Sequence, residues 1–175
     1  DNMSIIGDTF DFGPFAFLDD YDPSFICNHS DHQGRYAFNQ QPNIANWNLA
    51  VLAQALLPLV DKETLVDILD TYSECFETYF LENMALKLGL TGNAQSHKSI
   101  IEHSLKMMAT CKLDFSYFFR HLSTIHQAKT HTHLRDMCID IAAFDNWFDE
   151  YKQVLANNQQ ALNSEHDAAR QMRMN

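Results

Sequence analysis

The chain has 175 residues, 46% of them hydrophobic, with 13 Phe, 7 Met and 2 Trp, and a formal net charge of −11. That length allows one domain with a real core, and the composition excludes the disordered and fibrous classes. The acidic balance argues against a nucleic-acid partner, whose affinity would rest on neutralising phosphates, and no apolar run approaches the roughly 18 residues of a membrane-spanning helix.

From Met3 to Phe17 alternating residues rich in Ile, Phe and Thr flank Gly7-Asp8, which predicts a small β-hairpin over residues 1–18. Such a ribbon brings its two ends side by side, so Asn2 can meet Asp11 of the Asp11-Phe12-Gly13 run. An amide oxygen and a carboxylate suit magnesium, which takes hard oxygen ligands from protein, phosphates and water. Asp1 faces another direction, where it is placed to accept a proton from an attacking hydroxyl. This is the division of labour of kinase-type phosphoryl chemistry, although ordinary kinases separate the base Asp from the metal Asn by about four residues and here the two are adjacent. Asp-Asn and Asp-Phe-Gly also form ordinary turns, and spacing alone leaves both readings open.

Residues 19–42 are rich in Asp, Asn, Ser, Gly and Pro yet keep Tyr21, Phe25, Ile26, Tyr36 and Phe38, so an anchored, ordered loop is expected. After Pro42 the period becomes helical. Ile44, Trp47, Val51, Leu52, Ala55 and Leu56 form one stripe that Pro58 ends. Asp61 reads as the N-cap of a long helix carrying Leu65 through Leu88 and closed by Gly89. Gly92, Asn93 and Ser96 open the next, with Ile100, Ile101, Leu105 and Met108 on one face, and Asp114 caps another through Leu122. Residues 134–155 and 160–172 look helical too. The expected fold class is mainly α, a single domain in which helices over residues 43–175 form the body and the short hairpin sits at the N-terminus.

A more specific signal lies in three longer runs. "DFGPFAFLDDYDP" from Asp11 to Pro23, "CNHSDHQGRY" from Cys27 to Tyr36 and "QPNIANWNL" from Gln41 to Leu49 stand in order behind Asp1-Asn2. In these runs the sequence resembles the selenoprotein O family, known in bacteria as SelO or YdiU, strongly over residues 1–60 and more loosely to Asn175. The resemblance implies a pseudokinase-like fold, here the helical C-lobe, that transfers AMP rather than phosphate from ATP to Ser, Thr or Tyr hydroxyls of protein substrates. The ATP lies reversed relative to kinases, so its α-phosphorus faces the acceptor and pyrophosphate leaves. It further implies Asp1 as proton acceptor, Asn2 as a magnesium ligand, and Asp11 as a magnesium ligand that also touches ATP, with manganese the alternative metal. The family's Gly-rich loop, nucleotide-anchoring Lys and phosphate-binding Arg residues precede the Asp-Asn pair. The expectation is therefore a piece of the helical lobe without its nucleotide-binding N-lobe, inactive by itself. The competing class is a non-enzymatic, pseudokinase-derived helical module for protein binding.

Other clusters carry plainer readings. His29 and His32 sit three apart on a loop with no further ligand evident, and His121, His126, His131 and His133 lack the spacing to put three ligands on one helical face. Arg35 is expected to pair with Asp31 or with the acidic Asp19, Asp20 and Asp22. Phe115, Phe118, Phe119, Phe144, Trp147 and Phe148 recur at helical spacing and read as core. Cys27, Cys75, Cys111 and Cys138 form no CxxC pair and read as reduced thiols, as in a cytosol or organelle matrix. A bacterial cytoplasm is expected, or a mitochondrion for a eukaryotic relative.

Overall fold

The computed structural model describes residues 16–128 and 132–158, and the described chain is mainly helical. Among the described residues seven α-helices follow one another: α1 (Gln41–Leu56), α2 (Lys62–Asp70), α3 (Tyr72–Lys87), α4 (Lys98–Cys111), α5 (Phe115–Ala128), α6 (Thr132–Asp136) and α7 (Ile141–Asn158). The only extended pairing among the described residues is an isolated antiparallel bridge between Asp20 and Asp114. The hairpin expected over residues 1–18 falls almost wholly on residues outside the described set, as does the helix expected over 160–172.

Two compact units divide the chain. Of the described residues, the first comprises 16–17 and 22–77. Here Pro42 occupies the first turn of α1, where its missing N–H costs nothing, and α1 packs against α2. Asp61 caps α2 as expected, its carboxylate accepting from the Thr64 N–H at 2.9 Å and the Thr64 hydroxyl at 2.8 Å. The single long helix anticipated from Asp61 to Leu88 is instead two. At Thr71 the main-chain N–H bonds Ile68 O three residues back, and the Thr71 hydroxyl donates to the same carbonyl at 2.7 Å. A β-branched hydroxyl residue thus offers the backbone a local alternative that interrupts the regular ladder.

The second unit, which among the described residues comprises 18–21, 78–128 and 132–158, holds the main hydrophobic core. Gly89 adopts a left-handed φ of 69°, and Leu90 N–H returns to Ala85 O while Gly89 N–H returns to Leu86 O, the paired bonds that end a helix on glycine. Helix α4 ends the same way at Lys112, whose φ of 51° is borne by a side chain that does not favour it. Asn93 accepts from Gln95 N–H to open a 3-10 turn (Ala94–His97) that runs into α4, and Asp114 accepts from Tyr117 N–H at 2.6 Å to start α5. Helices α4 and α7 pack along each other. Between them Trp147, wholly buried, donates its indole N–H to Ser104 Oγ at 2.8 Å, and Tyr151 donates to Leu88 O at 2.9 Å. Phe118, Phe119, Phe144 and Phe148 are buried around Trp147, while Phe115 is partly buried at the margin, so the aromatic stripe is core.

Candidate functional site

Asp1, Asn2 and Asp11 lie outside the described residues. The described chain resumes at Ala16, inside the Asp11–Pro23 run, and leads into a loop whose every turn is held by a short polar side chain. Asp22 Oδ1 accepts from the Ser24 N–H at 2.8 Å and from its hydroxyl at 2.6 Å. Asn28 Oδ1 accepts from Ser30 N–H at 3.0 Å. Asp31 then folds the second motif onto itself: Oδ1 takes the Arg35 N–H at 3.0 Å and Oδ2 the Tyr36 N–H at 2.7 Å. These main-chain donors, Tyr36 foremost, hold the Asp31 carboxyl below its usual range. Between them Gly34 stands at a φ of 69°, the left-handed turn that lets residues 31–36 close.

The base of the loop is closed by Phe38 N–H to Phe25 O at 3.0 Å and Asn39 N–H to Pro23 O at 2.8 Å. Its third motif locks onto its second, because Gln41 Nε2 donates to Tyr36 O at 2.8 Å. The Arg35 main-chain N–H bonds Asp31, and its guanidinium lies 4.6 Å from the Trp47 ring centroid on α1 and 5.7 Å from that of Tyr36. A planar cation over an indole is a fixed, directional contact, which joins the "GRY" and "WNL" segments.

His29 and His32 are exposed on this loop, and no group of three or more metal-capable side chains occurs among the described residues. Asp19 and Asp20 are exposed. In the second unit the structure brings together two histidines that sequence spacing left apart. His133 on α6 lies 4.9 Å from His121 on α5, ring centroid to centroid, with the Tyr117 ring tilted against His121 at 3.8 Å and its hydroxyl 2.8 Å from His133 Nε2. Desolvation first, then the neighbouring His133 and Arg120, lower the His121 pKa below that of a free imidazole.

Comparison with known proteins gives these features their context. The family model described as "Protein adenylyltransferase SelO" matches residues 1–175. A relative named "Protein nucleotidyltransferase YdiU" from Pseudomonas fluorescens (strain SBW25) is 47% identical over 152 residues, covering 87% of this chain and 31% of the relative. Another of the same name from Variovorax paradoxus (strain S110) is 51% identical over 148 residues, covering 84% of this chain and 30% of its own length. The chain thus spans about a third of the length of the curated relatives it matches.

Proposed function

The chain belongs to the SelO family of protein adenylyltransferases, and from that membership we propose that it forms part of the kinase-like catalytic lobe of an enzyme moving AMP from ATP to Ser, Thr or Tyr hydroxyls of protein substrates. The single observation that carries this reading is the family match over residues 1–175, which contains Asp1-Asn2 and the three motif runs in order. The proposed setting is a bacterial cytoplasm.

Asn2 and Asp11 are the magnesium ligands in this reading, with manganese the alternative, and Asp11 also contacts ATP. Their donor set fits a hard cation, being one amide oxygen and one carboxylate. When bound, the cation neutralises phosphate charge around the α-phosphorus. The remaining work falls to side chains. Asp1 orients the acceptor hydroxyl and takes its proton, which matters because a neutral hydroxyl is a poor nucleophile toward a region of concentrated negative charge. The ordered loop over residues 22–40, pinned by Asp31 and by the Arg35 contact with Trp47, supports this reading as a fixed segment that follows Asp11 in sequence.

A full-length protein carrying this sequence, incubated with ATP labelled at the α-phosphate and magnesium, tests the reading. Asp11→Ala should abolish label transfer to protein, and Asp1→Ala should lower it by about 100-fold or more, both with unchanged circular dichroism. Undiminished transfer by Asp11→Ala sinks the assignment. The 175-residue chain by itself is expected to transfer no AMP, and measurable labelling by it would overturn that expectation.

A further inference from the structure

Helix α1 departs from the pattern of the long helices in the second unit. Helices α4 and α7 bury Ile100, Ile101, Phe144 and Trp147 and turn charges outward, Glu102 and Lys106 on the one, Asp149 and Lys152 on the other. That is the ordinary amphipathic arrangement of a surface helix. The stretch from Gln41 to Val60, which contains α1, holds no Asp, Glu, Lys, Arg or His at all. No residue of α1 is buried. Trp47, Ala50, Val51 and Ala55 are exposed at helical spacing and so share one face, with only the amides of Asn43 and Gln54 beside them. Arg35 lies over the Trp47 ring, yet Trp47 is still 46% exposed, Val51 is 44% exposed, and Leu59 beyond the helix end is 81% exposed. Leu49, Leu52 and Leu56 are half-buried on the other side of the helix. Single exposed apolar residues are normal on any protein. A helix that is apolar on both sides and uncharged along its length belongs inside a fold or an interface.

The chemistry of the stripe narrows its occupant. A membrane surface or a nucleic acid calls for basic residues at the rim, and this stretch has none in a chain of net charge −11. A transient protein partner is steered by complementary charge, which the stripe also lacks. Uncharged faces of this kind are those of permanent contacts, which resemble a core cut in half. The chain matches about a third of its relatives' length, so in a protein of their size most of the polypeptide lies outside these residues and is held near α1 by covalent linkage. We propose that the stripe of Trp47, Ala50, Val51 and Ala55 is one half of an intramolecular interface, covered by an uncharged apolar surface of the same polypeptide outside these 175 residues. The inference rests on composition, exposure and relative length, so it stands or fails separately from the roles of Asp1, Asn2 and Asp11.

The test places Val51→Cys in the 175-residue chain and in a full-length protein carrying this sequence, and reacts both with a maleimide. Tryptic peptide 36–62 contains no native cysteine, so its mass reports the introduced thiol alone. That thiol should react at least about tenfold more slowly in the full-length protein. Hydroxyl-radical oxidation of Trp47, localised in the same peptide of the unsubstituted proteins, should fall alongside it with no variant involved. Sedimentation velocity across a dilution series accompanies both measurements, and the protection should persist in the full-length monomer. Labelling that is no slower in the full-length protein overturns the proposal, whether the stripe is open in both or already covered in the shorter chain. Protection that is lost as a full-length oligomer dissociates, on dilution or through Val51→Glu, makes a second copy the occupant and overturns it as well.

Discussion

The indole of Trp147 and the hydroxyl of Ser104 make a buried polar pair whose energetics are separable. Ser104 Oγ donates to Ile100 O at 2.6 Å and accepts the Trp147 N–H at 2.8 Å, so both groups are satisfied with no water. Ser104→Ala removes the acceptor and leaves the indole N–H buried and unpaired, a desolvation cost of about 1–3 kcal/mol. Trp147→Phe removes the same bond from the other side and leaves a void of roughly 40 Å³, which at ~24 cal/mol per Å³ adds about 1 kcal/mol to the lost bond. The double variant has no orphaned donor, so its cost should fall short of the sum of the singles by about 1 kcal/mol. Urea titration followed by far-ultraviolet circular dichroism measures all three, since fluorescence would lose its main reporter in Trp147→Phe. Costs that add to within about 0.3 kcal/mol, the scatter expected of independent sites, would refute the view that this bond ties α4 to α7.

Three further outcomes follow from single residues. Lys112 bears a left-handed φ of 51° at the end of α4, so Lys112→Gly should stabilise the chain by about 0.5–1 kcal/mol in the same titration. Gly34→Ala should do the reverse in the loop, by about 1–2 kcal/mol of backbone strain, because its new Cβ would meet only Ile26 Cδ1 at an ordinary 3.6 Å; Gly34→Asn should recover part of the loss. Asp31 has its folded pKa lowered by main-chain donors, Tyr36 first. The stability it contributes is therefore complete above the ordinary carboxylate pKa and lost as pH falls through the lowered folded value. An NMR carboxyl titration should place its midpoint below those of exposed aspartates, and Asp31→Asn should remove that acid dependence.

Helix ends were legible in advance because their chemistry is local. Asp61 and Asp114 each accept from an amide three residues on, and Gly89 takes the one backbone conformation that glycine tolerates best, so the residue type and its neighbours suffice. The aromatic stripe was legible for the same reason, since 3.6-residue periodicity already states which side chains share a face. The interruption at Thr71 was not. Thr71 sits among residues of good helical pattern, and only the bonds it makes to Ile68 O show that its hydroxyl breaks the ladder. For the proposed site, Asp1, Asn2 and Asp11 rest on motif and family, whereas the geometry of the loop beyond them, pinned by Asp31 and by Arg35 over Trp47, required coordinates.

What residue order alone determined here is whatever acts within about one helical turn: caps, turns, amphipathic faces and the ordered motifs of an adenylyltransferase family. Only the tertiary structure decided which distant groups meet. His121 with His133 and Trp147 with Ser104 are each brought together by helices packing to bury apolar area, a force that depends on area and carries no sequence register of its own.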